Sequence, residues 1–229
     1  MSKVVLILYL LCVASWFIPP FSVLWTAFDE TVFFALNSVL TIPVLRPVVA
    51  VLNHNITDWM FDIVILTFFI PFLIKNRKES EPLFLFVTAV TWYGFSIWWL
   101  NRLLIPKVLH AARASPGWIF QDEMVRLTDY IHWIKIKQVA FQSFPADHGC
   151  TVLMFIFTAF ALLNKKQGRI ACFVSIPFIL PRLICGAHWF TDIFFGSLPI
   201  ILFHQWFLFK LPFFKKIHGS LCLPQKTTS

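Results

Sequence analysis

Six long apolar segments recur along the chain, separated by shorter stretches that are rich in polar and charged residues. The segments cover about residues 4–18, 58–74, 82–105, 148–164, 170–187 and 191–209. A helix that crosses the ~30 Å hydrocarbon core of a bilayer needs roughly 20 residues, so each segment predicts a membrane-spanning helix. The pattern therefore predicts an all-α integral membrane protein, a bundle of six transmembrane helices in a single domain over residues 1–229.

The first segment is short enough to resemble the hydrophobic core of a signal peptide. No clean cleavage site of small residues follows it, and the sequence FIPPF comes directly after it. We therefore expect a retained helix, and removal of this segment would leave the sidedness of the other helices unchanged.

Two longer connections join apolar segments on one side of the predicted bundle, at about residues 20–57 and 106–147. In the first connection, FDETVFFALNSVL has apolar residues at helical spacing behind an acidic start. This pattern predicts a short helix that lies at the membrane interface. Pro43 and Pro47 interrupt the pattern beyond it, so we expect a loop region that contains short helices.

Composition and charge support this topology. The chain is 59% hydrophobic and only 13% charged, whereas soluble domains have about 25% charged residues. Many basic residues fall in loops that would share one side of a six-helix bundle: Lys3, Lys75, Arg77, Lys78, Lys165, Lys166, Arg169, Lys210, Lys215 and Lys216. Basic loops favour the cytoplasm. The net charge of +8 therefore indicates a membrane topology and not a nucleic-acid partner.

The stretch LPRLICGAHWFTDI, residues 180–193, places charged side chains within apolar sequence, where they are costly. His188 and Asp192 are four residues apart and share a helix face. A carboxylate next to an imidazole orients the ring and makes it more basic, as a nucleophilic or general-base His requires; alternatively, Asp192 caps a helix. Arg182 offers a planar fork for phosphate. It lies about 240° from His188 on an unbroken helix, so the two converge only if the chain turns, which Gly186 permits.

Two further polar clusters fall at the same predicted depth. SFPADHGC, residues 143–150, closes the outer connection, and its Pro145 and Asp147 suit a helix start. His148 and the free backbone N–H groups there would face an anion, while Asp147 either caps the helix or tunes His148. PKVLHAARASP, residues 106–116, adds Lys107 and Arg113. Two His, a carboxylate and several cations at one depth are typical of a phosphoryl-transfer site without a metal.

The sequence offers little support for a metal centre. The five cysteines lie mostly within or beside apolar runs and have no metal-ligand spacing. No His-x-x-x-His or carboxylate-rich spacing occurs either. We therefore expect neither a metal nor another cofactor.

These clusters resemble the signatures of a known enzyme family. The spacing Arg182-x5-His188-x3-Asp192 resembles the third signature of the type-2 phosphatidic acid phosphatase superfamily. PADH, residues 145–148, is similar to its second signature, usually Pro-Ser-Gly-His, and KVLHAARASP is similar to a degenerate first signature. SFP-x-DHG, RASP and GAHWFTDI most resemble the branch of bacterial lipid A 1-phosphate phosphotransferases, which shares Asp147 in place of the usual Gly.

The resemblance implies a role for each matched residue. His188 would attack phosphorus and become a phosphohistidine, and Asp192 would hold the other ring nitrogen of His188. His148 would protonate the leaving group and later activate the acceptor. The substrate-binding residues would be Arg182, Arg113, Lys107 and Asp147.

Four positions depart from the family pattern. Five residues, not six, separate Lys107 from Arg113, and an Ala follows Arg113 where Pro is usual. Pro181 replaces the Ser before Arg182. Ala146 replaces the Ser of the second signature, so backbone N–H groups would have to supply more of the phosphate binding.

The resemblance implies an enzyme of the bacterial inner membrane with its active site on the periplasmic side. It would move a phosphoryl group from undecaprenyl diphosphate to lipid A 1-phosphate; its other partner is the bilayer. The alternative is a lipid phosphatase that hydrolyses undecaprenyl diphosphate or phosphatidylglycerol phosphate. A transporter, in which intramembrane charges mark an ion path, is a more distant alternative, because the polar residues concentrate at one face. Basic residues of the outer connection are candidates to bind the acceptor headgroup: Arg126, Lys135 and Lys137.

Overall fold

The computed structural model describes residues 3–76, 86–87, 90–91, 93–95, 98–99 and 113–210. These residues form helices, turns and loops, with no β-strand among them, so the all-α prediction is confirmed for this part of the chain. The named helices are α1 (Lys3–Trp16), α2 (Pro19–Asn37), α3 (Leu45–Leu52), α4 (Asn55–Lys75), α5 (Pro116–Ile119), α6 (Asp147–Leu162), α7 (Lys165–Ile184) and α8 (Leu198–Lys210). A π-helical segment, Asp192–Ser197, leads directly into α8.

Three of the described helical segments are long and apolar enough to cross a membrane: Pro19–Thr41, Asn55–Lys75 and Lys165–Ile184. Helices α1 and α6 are apolar but shorter. The predicted span at 82–105 falls largely outside the described residues. The structure therefore supports a helical membrane protein, but six spans are not confirmed.

Helix α2 differs from the short interfacial helix that the sequence predicts. It begins at Pro19, not near Phe28, and the 3₁₀ turn Ser38–Thr41 continues it. Pro19 and Pro20 occupy its first turn, where a missing backbone N–H costs nothing because that group has no partner in the helix anyway. The helix therefore starts earlier than predicted, because the two prolines fit its first turn, and its position at the membrane interface stays a prediction.

Large apolar side chains cover the outside of several helices. In α4, Trp59, Ile63 and Leu66 are exposed, and in α7 Phe173 is 73% exposed. A contiguous apolar surface of this kind is costly in water. It fits a surface that faces lipid.

Helices α4, α6 and α7 pack around an aromatic and aliphatic core. Phe61 and Phe69 of α4 meet Phe155 and Ala159 of α6 and Ala171 of α7. Helices α6 and α7 are joined by only Leu163 and Asn164. The Asn164 side chain accepts a hydrogen bond from the Gln167 N–H at 3.0 Å and so caps α7. The core lies along the middle of these helices, and the candidate site residues lie at helix ends.

The direction of these three helices separates two ends of the bundle. Lys75 at the end of α4 and Asn164 at the start of α7 line one cavity, so these two helix ends lie at the same end of the bundle. The start of α4, the start of α6 and the end of α7 lie at the opposite end. All the candidate site residues that the structure describes are at this second end, which we call the site end.

Residues 113–146 fold across the site end and are fixed there by backbone contacts. The Gly117 N–H donates to the Gly186 carbonyl at 2.8 Å. A Cβ on Gly117 would lie only 1.9 Å from the Gln138 carbonyl oxygen. Gly186 has a φ of +79°, a conformation that glycine adopts at little cost. The predicted turn at Gly186 is confirmed, and it redirects the chain between α7 and the π-helical segment.

Candidate functional site

The two candidate catalytic histidines face each other at the site end. His148 is the second residue of α6, and His188 lies in the turn that follows α7. Their ring centroids are 5.9 Å apart. At this separation both rings can contact one small group of a substrate.

His188 is only 4% exposed, and its ring is oriented by a backbone group. Nδ1 lies 2.9 Å from the carbonyl oxygen of Ser143. A carbonyl oxygen can only accept a hydrogen bond, so Nδ1 carries the proton and Nε2 carries the lone pair. Nε2 has no hydrogen-bond partner among the described residues. The arrangement is that of an imidazole ready to attack an electrophile.

Ser143 is itself held in place by the outer connection. Its backbone N–H donates to the Arg113 carbonyl at 2.8 Å, and its hydroxyl donates to the same oxygen at 3.0 Å. The position of the Ser143 carbonyl, which orients His188, is therefore fixed by the hydrogen bonds between Ser143 and Arg113.

Asp192 lies behind His188 but is not its hydrogen-bond partner. An Asp192 carboxylate oxygen is 3.9 Å from His188 Nδ1, farther than the Ser143 carbonyl. Instead it accepts the Trp189 backbone N–H at 2.8 Å, and its other oxygen lies 3.2 Å from the Arg113 guanidinium. The bond from the Trp189 N–H is the helix-capping contact that the sequence analysis gave as the alternative role of Asp192. A hydrogen bond between Asp192 and His188 Nδ1 stays a prediction.

His148 has a carboxylate at each ring nitrogen. Nδ1 lies 2.8 Å from Asp147 Oδ1, and Nε2 lies 3.3 Å from Asp58 Oδ1. Carboxylate oxygens accept hydrogen bonds, and only the protonated imidazolium can donate from both nitrogens. The surroundings of His148 therefore suit a group that gives a proton away.

Asp147 connects the two histidines. One of its oxygens accepts from both the backbone N–H and the ring Nδ1 of His148, at 2.9 and 2.8 Å. The same oxygen lies 3.6 Å from His188 Nε2. Of the two interpretations that the sequence leaves open, the geometry favours the one in which Asp147 tunes His148.

Arg182 is 1% exposed and its guanidinium is held by two segments of the chain. One nitrogen donates to the carbonyl and the side-chain oxygen of Asn53, both at 2.7 Å. The other donates to the two oxygens of Asp58, at 2.8 and 2.9 Å. A carboxylate thus occupies the position on the guanidinium fork that a phosphate would take.

Arg113 has a similar set of partners. Its guanidinium donates to Asp29 at 2.7 Å, to the Thr191 hydroxyl at 2.7 Å and to Asp192 at 3.2 Å. Asp29 comes from α2 and is almost completely buried. The third predicted cation, Lys107, lies outside the described residues.

Two adjoining cavities open onto these side chains. The larger, of about 610 Å³, is lined by His188, Asp147 and Lys137, and by the apolar side chains of Trp98, Phe144 and Met154 among others. The smaller, of about 190 Å³, is lined by His148, Asp58 and again Asp147. A volume of several hundred Å³ with mixed polar and apolar lining suits a lipid headgroup.

Sequence reasoning missed three residues of the network: Asp29, Asp58 and Ser143. The two carboxylates interrupt apolar helical sequence, and such charges mark function by default, so this signal was available. Ser143 acts through its carbonyl, which leaves no trace in the sequence.

One group in the described part of the chain has the donor types and spacing to hold a metal ion. It consists of Asp147, His148 and His188, whose ligand atoms lie within 4.8 Å of one another. The hydrogen bonds described above also satisfy His148 without a metal. A metal-free reaction stays a prediction, which activity in excess chelator would test.

Comparison with known proteins gives two curated relatives. The chain is 30% identical over 192 residues to a protein named lipid A 1-diphosphate synthase of Escherichia coli, covering 82% of this chain and 78% of that one. It is 30% identical over 155 residues to one named lipid A 1-phosphatase of Rhizobium etli, covering 65% and 62%. No family model matches the chain, and no solved structure matches it either.

Proposed function

The chain belongs to the lipid phosphatase and phosphotransferase family, and from this premise we propose that it transfers a phosphoryl group from undecaprenyl diphosphate to lipid A 1-phosphate. It is an enzyme that acts on lipid phosphates. The observation that carries the proposal is the pair of unlike histidines: a buried His188 with a free Nε2 lone pair, 5.9 Å between ring centroids from a His148 flanked by two carboxylates. A nucleophile and a proton donor across one cavity are what phosphoryl transfer requires.

In the first step, His188 Nε2 attacks the terminal phosphorus of the diphosphate. An N–P bond forms, and the bond from that phosphorus to the bridging oxygen breaks. His148 gives its proton to the departing oxygen, so the donor leaves as the lipid monophosphate. The Nδ1 proton of His188 remains on its ring and is held by the Ser143 carbonyl at 2.9 Å.

In the second step, an oxygen of the acceptor phosphate attacks the phosphorus of the phosphohistidine. His148, now neutral, takes a proton from the acceptor phosphate if that group still carries one. The N–P bond breaks, and its electron pair returns to His188 Nε2. His188 is then in its starting form, and His148 regains its starting form by taking a proton from the acceptor phosphate or from water.

We assign phosphoryl binding to Arg182, Arg113 and Lys107, with Asp147 next to the reacting group. The contacts of Arg182 suggest how binding proceeds, since Asp58 holds its outward nitrogen through both carboxylate oxygens. An incoming phosphate would replace Asp58 on this nitrogen, and the contacts with Asn53 would keep the guanidinium in place.

We propose that the site end faces the periplasm of a bacterial inner membrane. Support comes from the basic stretches that follow Lys75 and Asn164, which begin at the opposite end of the bundle. Loops rich in Lys and Arg favour the cytoplasm, and the site lies across the membrane from them.

A second candidate is a phosphatase, in which water takes the phosphoryl group from His188. The similarity to a protein named lipid A 1-phosphatase favours it. The first step is the same in both reactions, and His148 would then activate water.

Labelled donor separates the two reactions. We expect undecaprenyl diphosphate with a ³²P-labelled terminal phosphate to pass its label to lipid A 1-phosphate, with little free phosphate when lipid A is absent. Release of free phosphate at the full rate without lipid A would refute the phosphotransferase and favour the phosphatase.

The covalent intermediate can be tested directly. Brief incubation with labelled donor should leave acid-labile label on His188, and His188→Ala should carry none and show no turnover. His132→Gln, which changes an exposed His of the outer connection, is the matched control and should label like the unmodified protein. Normal turnover by His188→Ala would refute the mechanism.

A further inference from the structure

A third cavity, which is lined by basic residues, lies at the site end. It adjoins the larger cavity that His188 lines, which we call the reaction cavity. Its volume is about 520 Å³, and its lining includes three cationic residues: Arg126, Lys135 and Lys137. The lining residues in the described part of the chain include no carboxylate. Arg126 forms an ion pair with Asp129 at 3.3 Å, and both side chains are exposed. The cavity therefore carries a net positive charge that a ligand could neutralise.

Gln138 fixes the backbone in one wall of the cavity. The residue is 5% exposed, and its Oε1 accepts the Thr128 backbone N–H at 3.0 Å. Its Nε2 exposes almost no surface, so a ligand in the cavity would contact the cations and not this amide.

Lys137 joins this cavity to the reaction cavity, since it lines both. Its backbone is fixed by the Asn53 side chain, which donates to the Lys137 carbonyl at 2.8 Å. Asn53 also holds Arg182. The two cavities therefore adjoin at Lys137, and Asn53 fixes the backbone at that point.

The charges of the two cavities differ in a way that suits a ligand with two anionic groups. The two described arginines of the signatures, which lie near the reaction cavity, are paired with carboxylates, Arg182 with Asp58 and Arg113 with Asp29. Lys135 and Lys137 form no ion pair within the described part of the chain. These lysines are therefore free to receive an anion.

We propose that the basic cavity binds a second phosphate of the acceptor headgroup while the first phosphate reacts at His188. This inference rests on the proposed phosphotransferase activity and gives the acceptor a second point of attachment, at a phosphate distant from the reacting one. The cations of the cavity hold the distant phosphate. The enzyme would then discriminate against acceptors with one phosphate by weaker binding.

The test compares two acceptors in a neutral detergent, with labelled undecaprenyl diphosphate as the donor. One acceptor is lipid A with a phosphate on each sugar, and the other is lipid A with its 1-phosphate alone. The unmodified protein should show a kcat/KM at least tenfold higher for the first. The double variant Arg126→Gln with Lys135→Gln should bring the ratio of the two values toward one.

Lys166→Gln, at the opposite end of the bundle, removes a positive charge as a control and should leave the ratio unchanged.

The results separate failure of this inference from failure of the proposed function. Label that enters neither acceptor refutes the phosphotransferase itself. Equal kcat/KM values for both acceptors in the unmodified protein refute only the second phosphate site. If the substitutions lower both values equally and the loss depends on added anionic phospholipid, the cations contact the bilayer, and the inference is likewise refuted.

Discussion

Asp58 contacts both Arg182 and His148, and its role was not predicted from the sequence. Its substitution therefore tests what the structure adds. Asp58→Asn keeps the size of the side chain and removes its charge. The guanidinium of Arg182, which is 1% exposed, then loses its carboxylate partner, and His148 loses one of its two acceptors. We expect effects on both stability and catalysis, for different reasons.

The stability cost follows from burial. Removing one partner of a buried ion pair costs about 3–5 kcal/mol, but the Asp58 side chain is 37% exposed, and water screens the exposed part of the charge. Arg182 also keeps its two hydrogen bonds to Asn53. We therefore expect a loss of about 1–3 kcal/mol, or roughly 3–10 °C in the melting temperature of the detergent-solubilised protein.

The kinetic effect divides between kcat and KM. With one carboxylate in place of two, a smaller fraction of His148 carries the proton that it must donate, so kcat should fall by about tenfold, part of the 10²–10⁴ that general acid catalysis contributes. KM should not rise, because phosphate no longer competes with Asp58 for Arg182.

Thermal unfolding and steady-state phosphoryl transfer measure the two effects, and Asp62→Asn is the matched control. Asp62 lies one helical turn further along α4, is exposed, and forms no ion pair in the described part of the chain. Its substitution should change stability by no more than about 0.5 kcal/mol. The reasoning is refuted if Asp58→Asn raises KM with kcat unchanged, or if both variants lose the same stability.

Three further predictions address other parts of the molecule. His148→Ala should slow phosphoryl transfer from an alkyl phosphate far more than from p-nitrophenyl phosphate, because p-nitrophenol is the better leaving group and needs less protonation; equal slowing would contradict the role of His148 as the acid. Gly117→Ala should lower the melting temperature, since its Cβ would lie 1.9 Å from the Gln138 carbonyl; an unchanged value would contradict the docking of residues 113–146. In a cysteine-free background, Asp122→Cys should react with an impermeant maleimide in intact spheroplasts and Lys166→Cys only after permeabilisation; the reverse would place the site in the cytosol.

Much of the fold and part of the site could be predicted from the sequence. Apolar runs near the length of a bilayer predict helices without reference to any partner, because a helix satisfies its own backbone hydrogen bonds. The i,i+4 spacing of His188 and Asp192 and the glycine at position 186 are likewise local features. They indicated a turn that brings charged residues to one end of a bundle, and the structure has that turn.

The tertiary structure alone decided which group contacts which. The Nδ1 proton of His188 goes to a carbonyl at Ser143, and backbone carbonyls are present at every position, so the sequence could not single one out. Asp29 and Asp58 reach Arg113 and Arg182 across 84 and 124 residues of chain. Such pairs form because helix packing brings distant segments together. A pattern of apolar and polar positions records which face of a helix is buried, but not which helix it meets.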